Sequence, residues 1–308
     1  MQGKTDRIIE VSHFSKTYGD FTAVDDISFS VERGTIFAFL GPNGAGKSTT
    51  ISTLCTIQEK TSGELFIDGH EVSRQQDLVR RDIGIVFQES TLDAKLTVAE
   101  NLQLHCEFYK VPKQEVASRI SFGLDLVDLS DWADAPVESL SGGMKRRAEI
   151  ARSLVHFPKV LFLDEPTTGL DPQTRLNVWE YLQRLQKEKG ITIFLTTHYM
   201  DEAEICDKVA VIDHGKIVAH DTPYELKKRH TSTVVDLSMT APESLLHYLG
   251  VRALEYEFVG SQIRVRVSGS AEALEIVTRF RSSIEDVEIR KGTLDDVFIA
   301  LTGKEIRK

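Results

Sequence analysis

The chain has 308 residues, more than one hydrophobic core usually organises, so a large domain with a smaller second one is expected. It is 41% hydrophobic and 27% charged, as globular proteins usually are, and its formal net charge of −10 argues against a generic nucleic-acid-binding protein, which would be basic. No apolar run reaches the roughly 18 residues that span a bilayer, the N-terminus lacks an apolar signal-peptide region, and the cysteines form no C-x-x-C pair, so we expect a cytosolic protein without a zinc site.

The first predicted elements are two strands, Ile8–Phe14 and Ile27–Val31, with a turn at residues 16–19 between them. Tyr18 lies in this turn. Its ring either stacks on an adenine base, which contributes about 1–3 kcal/mol, or packs within the turn. The sequence favours neither interpretation.

A glycine-rich loop follows the apolar run 35–40, which is typical of a buried parallel strand. The loop fits G-x-x-x-x-G-K-[ST], and the residues after it predict a helix whose N-terminal dipole faces an anion. Backbone N–H groups would wrap a chain of phosphates, Lys47 would neutralise phosphate charge, and the Ser48 hydroxyl would hold Mg²⁺. The pattern predicts a nucleoside triphosphate site. Its residues are Gly41, Pro42, Asn43, Gly44, Ala45, Gly46, Lys47, Ser48 and Thr49.

Residues 83–87 predict another strand, and Gln88 follows it directly. A glutamine at the carboxyl edge of a sheet can offer its carbonyl oxygen to Mg²⁺ or to an attacking water, although such a residue is more often only polar surface. The next stretch, about 93–150, predicts a helical insertion. Thr97 and Glu100 form a capping pattern at the start of its first helix.

Within the insertion, Ser141, Gly142 and Gly143 precede a helical run. They can present a hydroxyl and bare N–H groups at a helix N-terminus, which would make a second phosphate cradle. Taken alone, the same residues are more often a simple helix cap.

Two neighbouring acids, Asp164 and Glu165, end the apolar strand that begins at residue 160. A buried strand rarely ends in two acids for packing reasons alone. Since their side chains alternate in direction, Asp164 would hold Mg²⁺ and Glu165 would polarise a water. His198 follows the strand 191–197, the last strong parallel strand. A lone histidine is more often a satisfied surface residue, but its place at the carboxyl end of this strand raises the odds of a functional role.

The C-terminal part has a different pattern. Residues 209–219 predict a hairpin, and the basic run 227–230 predicts a helix end and linker. Beyond it the predicted order is β-α-β-β-α-β, that of a ferredoxin-like unit, without a phosphate loop or an acid pair. We predict an accessory domain over 231–308.

Six motifs occur in the order and rough spacing of an ATP-binding cassette: 41–49, Gln88, 140–144, 161–165, 169–171 and His198. Over residues 8–230 the chain resembles the ATPase subunit of an ABC transporter. The resemblance implies an α/β P-loop NTPase fold with a helical subdomain over 1–230, followed by the small α+β domain, and ATP with Mg²⁺ as the ligands. The implied roles are adenine stacking for Tyr18, the Q-loop for Gln88, the signature for Ser141–Gly143, the catalytic carboxylate for Glu165, the D-loop for Asp171 and the switch histidine for His198, with Lys47 also in the reaction.

The signature departs from the usual pattern, because Met144 stands where glutamine is usual. The run 140–147, Leu-Ser-Gly-Gly-Met-Lys-Arg-Arg, and the tail 293–303 are similar to the daunorubicin-resistance branch, whose ATPases power multidrug and lipid exporters. The resemblance implies an ATP-driven homodimer, in which each copy's signature closes the other's site, and a separate membrane permease. It also implies a peripheral location on the cytoplasmic face of the cell membrane.

The alternative is a soluble cassette ATPase that acts on ribosomes or DNA. Such proteins usually carry two cassettes, zinc modules or long coiled coils. This sequence has one cassette, no C-x-x-C pair and no sustained heptads, which favours transport without a nucleic-acid partner.

Overall fold

The computed structural model describes residues 6–303, and the chain divides into two compact units, Met1–His220 and Asp221–Lys308. The division lies before the predicted boundary at residue 230. The reason is that the basic run belongs to a helix, Pro223–His230, which packs against the last helix, Leu294–Thr302.

The strands of the first unit are β1 (Arg7–Tyr18), β2 (Phe21–Glu32), β3 (Ile36–Leu40), β4 (Ser62–Ile67), β5 (His70–Glu71), β6 (Ile83–Val86), β7 (Val160–Asp164), β8 (Thr192–Thr197), β9 (Lys208–Asp213) and β10 (Lys216–Asp221). Its helices are α1 (Lys47–Leu54), α2 (Gln76–Asp82), α3 (Val98–Phe108), α4 (Lys113–Leu126), α5 (Gly142–Leu154), α6 (Pro172–Lys189) and α7 (Met200–Glu204).

One sheet is antiparallel, in the order β2-β1-β4-β5. Its first two strands are longer than the sequence indicated. Tyr18 pairs with Phe21, so the predicted turn at residues 16–19 is wrong, and the chain turns only at Gly19 and Asp20. Gly19 has φ 57°, a left-handed conformation that glycine adopts without steric cost.

The other sheet has the order β10-β9-β3-β8-β7-β6, and the pairs that β3, β7 and β8 make with their neighbours are parallel. All residues of β3 and β7 are buried, as expected for central parallel strands. The prediction that β8 is the last parallel strand is wrong, because β9 also runs parallel to β3. The carboxyl ends of β3, β7, β8 and β6 meet at one edge.

Phenylalanine rings from both sheets form the core. Phe29 of β2 lies 5.6 Å from Phe37 of β3, and Phe37 lies 5.3 Å from Phe194 of β8, centroid to centroid. Such aromatic pairs contribute about 0.5–1.5 kcal/mol each beyond their burial. The contacts fix β3, and thus the loop that follows it, against the antiparallel sheet.

The predicted capping pattern is confirmed at α3. The Glu100 N–H donates to Thr97 Oγ1 at 3.2 Å, and the Thr97 N–H donates to Glu100 Oε2 at 2.7 Å. Elsewhere, Cys55, Cys106 and Cys206 are buried as free thiols. Burial raises the pKa of each thiol.

The second unit contains α8 (Pro223–His230), β11 (Thr233–Met239), α9 (Glu243–Val251), β12 (Tyr256–Val259), β13 (Gln262–Val267), α10 (Ser270–Phe280), β14 (Ile284–Arg290) and α11 (Leu294–Thr302). Its sheet is antiparallel, in the order β12-β13-β11-β14. One face is apolar and belongs to a core with Leu245 and Ile276. On the central strand, Asp236 is buried between Arg264 and Arg290.

Candidate active site

The predicted phosphate loop lies at the carboxyl end of β3, where it lines a cleft of about 400 Å³. Gln88, Glu165, Tyr18 and Phe21 line the same cleft. The structure therefore brings together residues that are remote in sequence, because parallel strands place their carboxyl ends at one edge.

Two glycines of the loop are fixed by close packing. A Cβ on Gly41 would lie 2.2 Å from the Ile212 carbonyl oxygen, and one on Gly46 would lie 2.6 Å from that of Ala23. Gly46 also has φ 105° and stands directly before α1. A side chain at either position would displace the loop from the helix N-terminus, where N–H groups can bind an anion.

Lys47 is buried in this loop, with its side chain 4% exposed. Its ammonium donates to the carbonyls of Gly41 at 2.8 Å and Pro42 at 3.1 Å, and it lies 3.3 Å from Glu165 Oε1. Burial lowers the pKa of Lys47, and the Glu165 carboxylate partly offsets this effect. The loop thus holds a cation at its centre, as phosphate binding requires.

Asp164 accepts two hydroxyl hydrogen bonds on Oδ1, from Thr196 at 2.5 Å and from Ser48 at 3.2 Å. Gln88 is exposed at the edge of the same cleft. A hydroxyl, a carboxylate and an amide carbonyl are the hard oxygen ligands that suit Mg²⁺. The donor set therefore fits the predicted metal ion.

Glu165 lies at the centre of the charged groups. His198 Nδ1 is 3.2 Å from its Oε2, and the Thr168 hydroxyl donates to the same oxygen at 3.1 Å. Burial would raise the pKa of Glu165, but the charge of Lys47, followed by that of His198, outweighs it and leaves the pKa lowered. At neutral pH, Glu165 is therefore an ionised carboxylate that can accept a hydrogen bond from water.

The ring nitrogen of His198 is close to Glu165 without a hydrogen bond of good geometry to any described residue. The contact is an ion pair when the imidazole is protonated. Glu165 has φ 47°, a left-handed conformation that is uncommon outside glycine, so the strand turns sharply at the carboxylate. The structure brings Lys47, Glu165 and His198 together, as the resemblance implies.

Tyr18 and Phe21 are exposed aromatic side chains, at 44% and 63%. The Tyr18 hydroxyl donates to Gln58, and the Lys16 ammonium lies 4.8 Å from the Tyr18 ring centroid. Tyr18 thus faces the cleft from the end of β1 and is not packed inside a turn. Sequence reasoning missed Phe21, which pairs with Tyr18 across the hairpin and also lines the cleft.

Ser141 is the N-cap of α5, and its Oγ accepts the Met144 N–H at 3.2 Å. The predicted cap is therefore present. Ser141 and Gly142 are exposed, and among the described residues none of the signature set lines the Lys47 cleft. The structure does not bring this predicted cradle to the cleft of its own chain.

Gly143 and Asp171 are joined through Thr174. A Cβ on Gly143 would lie 2.4 Å from Thr174 Cγ2, so α5 and α6 pack closely at this glycine. Asp171 caps α6 by accepting the Thr174 N–H at 3.0 Å, and it also accepts the Thr174 hydroxyl at 2.5 Å. These bonds from Thr174 lower the pKa of the Asp171 carboxyl.

Sequence reasoning also missed a buried carboxylate that holds the strand end next to His198. Glu202 is 1% exposed and accepts hydrogen bonds from the hydroxyls of Thr167 and Thr197, the latter at 2.6 Å. It ties the segment after Glu165 to the strand end before His198. An acid five residues beyond a strand has the pattern of a solvent-facing helix residue, so no signal distinguished it.

The sequence matches a family model described as ABC transporter over residues 24–168. It is 39% identical to the Nod factor export ATP-binding protein I of Ralstonia nicotianae, over 97% of this chain and 95% of that protein. It is 37% identical to the daunorubicin/doxorubicin resistance ATP-binding protein DrrA of Streptomyces peucetius, over 98% and 94%.

Two solved structures are similar to most of the chain. One is cbiO1 from Clostridium perfringens, part of the ABC transporter complex cbiONQ, with a TM-score of 0.67, 31% identity, and coverage of 80% of this chain and 96% of that one. The other is the ATP-binding cassette MJ0796, a dimer bound to ADP and Pi in a post-hydrolysis state, with a TM-score of 0.64, 28% identity, and coverage of 70% and 98%.

Proposed function

This chain belongs to the ABC transporter family as an ATP-binding, ATP-hydrolysing subunit, and from that premise we propose that two copies close on ATP to power export through a separate membrane permease. The predicted signature in particular supports the proposal. It is exposed at the N-terminus of α5 and lies outside the cleft that holds Lys47 and Glu165.

In a two-fold dimer, the exposed signature of one copy would meet the Lys47 cleft of the other copy. Since the signature does not line the cleft of its own chain, a γ-phosphate bound there would need donors from elsewhere. The Ser141 hydroxyl and the N–H groups of Gly142 and Gly143 on a second copy would supply them, giving two sites across one symmetric interface. The dimer of the similar MJ0796 cassette supports this arrangement. Asp171, which packs through Thr174 against Gly143, would lie at the same interface.

Within each site the residues would divide the work of phosphoryl transfer. Lys47 and the loop N–H groups would hold the β- and γ-phosphates, and Glu165, ionised at neutral pH, would orient and polarise the attacking water. His198 would stabilise charge beside Glu165. Tyr18, together with Phe21, would stack against the adenine.

Mg²⁺ would be held by Ser48, Asp164 and Gln88, and when bound it would neutralise charge on the phosphate oxygens. The hydrogen bond that Ser48 donates to Asp164 places both oxygens together without the ion.

Export is supported by two of the relatives, a Nod factor export ATP-binding protein and a daunorubicin/doxorubicin resistance ATP-binding protein. In the described part of the chain no helix has both the length and the apolarity to span a bilayer. As the proposal has it, the ATPase would bind a separate membrane permease on the cytoplasmic face of the membrane.

The C-terminal unit would be a ferredoxin-like accessory domain. Its element order, β-α-β-β-α-β, and its antiparallel strand order, β12-β13-β11-β14, support this assignment. The unit carries no phosphate loop and no acid pair at a strand end in its sequence. We assign it to dimer stabilisation or regulation of turnover.

Mixing two inactive variants tests the shared site. Lys47→Ala removes the cation of the cleft, and Ser141→Arg blocks the opposite contact; each alone should lose ATPase activity. Random pairing makes about half of the dimers mixed, each with one intact site, so roughly a quarter of the native turnover should return. Ser139→Arg, at an exposed position before the signature, is the control. If mixing restores nothing and Ser141→Arg also loses ATP binding, the signature is structural.

Transport is tested by co-purification. Membrane association that requires a co-expressed polytopic protein supports the proposal. Co-sedimentation with ribosomes or DNA, without such a partner, would favour the alternative.

A further inference from the structure

Arg146 is a buried arginine on α5, with 6% of its surface exposed. Burial lowers the pKa of its guanidinium, which the nearby Glu149 carboxylate partly offsets. A buried charge is tolerated only where its hydrogen bonds are satisfied. The partners of Arg146 therefore show what the residue holds in place.

Three successive backbone carbonyls accept from this guanidinium. Nε donates to Pro166 at 2.7 Å, and Nη2 donates to Asp164 at 3.1 Å and to Glu165 at 3.3 Å. These residues form the sharp turn at which Glu165 adopts φ 47°. A left-handed conformation at a non-glycine residue persists only where its surroundings hold it, and Arg146 is one of the groups that hold it.

The same guanidinium reaches the segment that carries Gln88. Arg146 Nη1 donates to the Phe87 carbonyl and to Glu149 Oε2, the latter at 3.1 Å. Glu149 in turn accepts the Thr91 N–H at 2.9 Å on its other oxygen. Arg152 donates to the Thr91 carbonyl at 2.8 Å. Residues on α5 thus hold the Gln88 segment on both sides.

We propose that Arg146 is a positioning residue that couples the signature helix to the site. One planar guanidinium connects α5, whose N-terminus presents Ser141, to the turn of Glu165 and to the start of the Gln88 segment. A movement of α5 is therefore transmitted to the hydrolytic carboxylate and to Gln88 together. This inference rests on the proposed role of Glu165.

The test is Arg146→Met, with Arg147→Met as the matched control. Arg147 lies on the same helix but donates to the Val127 carbonyl at 2.9 Å and to the Asp128 carbonyl at 3.3 Å, away from the Glu165 turn. A displacement of about 1 Å in a catalytic group can cost about a hundredfold in rate. Arg146→Met should therefore lower kcat at least about tenfold while the Kd for ATP stays within about twofold, and Arg147→Met should change neither by more than about twofold.

Hydrogen exchange distinguishes positioning from a general loss of structure. In Arg146→Met, exchange should rise in peptides that cover Phe87–Thr91 and Asp164–Thr168 and stay unchanged at α1. Arg146→Lys gives a second test if the methionine variant does not fold. A lysine keeps the charge beside Glu149 but cannot span from the Phe87 carbonyl to that of Pro166, so its kcat should also fall.

The inference is overturned if a folded Arg146 variant keeps kcat within about twofold of native, or if kcat and ATP binding fall together. It is also overturned if the Arg147 control loses as much activity. Glu165→Gln, measured alongside, distinguishes a failure of the proposed role of Glu165 from a failure of the coupling through Arg146. Native turnover in that variant removes the proposed role of Glu165, whereas loss there with native turnover in the Arg146 variants removes only the coupling.

Discussion

The ammonium of Lys47 and the carboxylate of Glu165 lie 3.3 Å apart, and both side chains are almost entirely buried. A buried carboxylate alone would tend to be protonated, so the cation of the phosphate loop keeps Glu165 ionised. The group that would neutralise phosphate charge thus also sets the protonation state of the group that would polarise the water. Phosphate binding and water activation are linked through this one contact.

Glu165→Gln should abolish ATP turnover and leave ATP binding intact, because it removes the negative charge with little change of shape. An ATP-bound dimer should accumulate, which gel filtration in ATP with Mg²⁺ would show. The control is Glu180→Gln on the exposed side of α6. Native turnover in Glu165→Gln, without a stable dimer, would contradict the catalytic assignment.

Acid should lower the free energy of unfolding of the first unit, because two of its histidines, His105 and His156, are largely buried. Burial, with the charge of Arg152, lowers the pKa of His105 to about 3, and burial lowers that of His156 to about 4. The His156 Nε2–H donates to the Ile83 carbonyl at 2.8 Å, and its ring stacks on Tyr109. Below the unfolded pKa of about 6.5, only the unfolded state binds protons, so stability present above that pH is lost as the pH falls.

For each histidine the loss should be up to about 1.4 kcal/mol per pH unit. Chemical denaturation at a series of pH values from about 7 to 5 measures the slope. His156→Gln should reduce the slope, whereas His214→Gln, at a side chain that is 79% exposed, should not. Equal slopes in the native chain and in His156→Gln would refute the explanation.

Asp236→Asn should destabilise the C-terminal unit. Asp236 accepts from Arg264 at 2.8 and 3.2 Å and from Arg290, and these bonds outweigh burial to lower its pKa. Because the folded pKa is the lower one, its stabilisation is present above about pH 4 and is lost as the pH falls through the folded pKa. The variant should cost about 1–3 kcal/mol in the unfolding of this unit.

Glu288→Gln is the matched control for Asp236→Asn. Glu288 lies opposite Asp236 in the sheet register, but its side chain is 65% exposed. It should change the free energy of unfolding by less than about 0.5 kcal/mol. Equal effects of the two substitutions would show that the buried carboxylate has no special role.

Removal of the C-terminal unit should leave an ATP-binding cassette with weaker self-association or altered basal turnover. The cut belongs after His220, where the compact units divide. A cut after His230 should give a less soluble product, because it would strip α11 from α8 and expose the buried Leu226. Unchanged dimerisation, turnover and export after the first cut would make the unit a passive appendage.

Much of the site could be predicted because its residues stand at strand ends. Asp164, Glu165 and His198 each follow or end an apolar strand, and a parallel sheet places those ends together. The loop before Lys47 was equally clear, since its glycine spacing has a direct physical meaning. The capping pair at α3, Thr97 and Glu100, could also be predicted, because its two residues are only three positions apart in the sequence.

The residues that were not predicted owe their positions to contacts with residues that are remote in sequence. Arg146 has the pattern of a solvent-facing helix residue, and its burial follows from carbonyls at Phe87 and at Asp164–Pro166. Phe21 extends a strand beyond its obvious apolar core, so its place beside the cleft required the β1–β2 register. The division between the units lies before the predicted boundary because α8 packs against α11, the last helix of the second unit.

The buried cysteines make the native chain suitable for site-specific labelling. Burial disfavours the thiolate at Cys55, Cys106 and Cys206, and the thiolate is the form that reacts with maleimides. One new cysteine at an exposed position such as Ser139 should therefore carry a fluorophore alone, without removal of the native thiols. Energy transfer between two such labels would then follow the approach and separation of two copies through each ATP cycle.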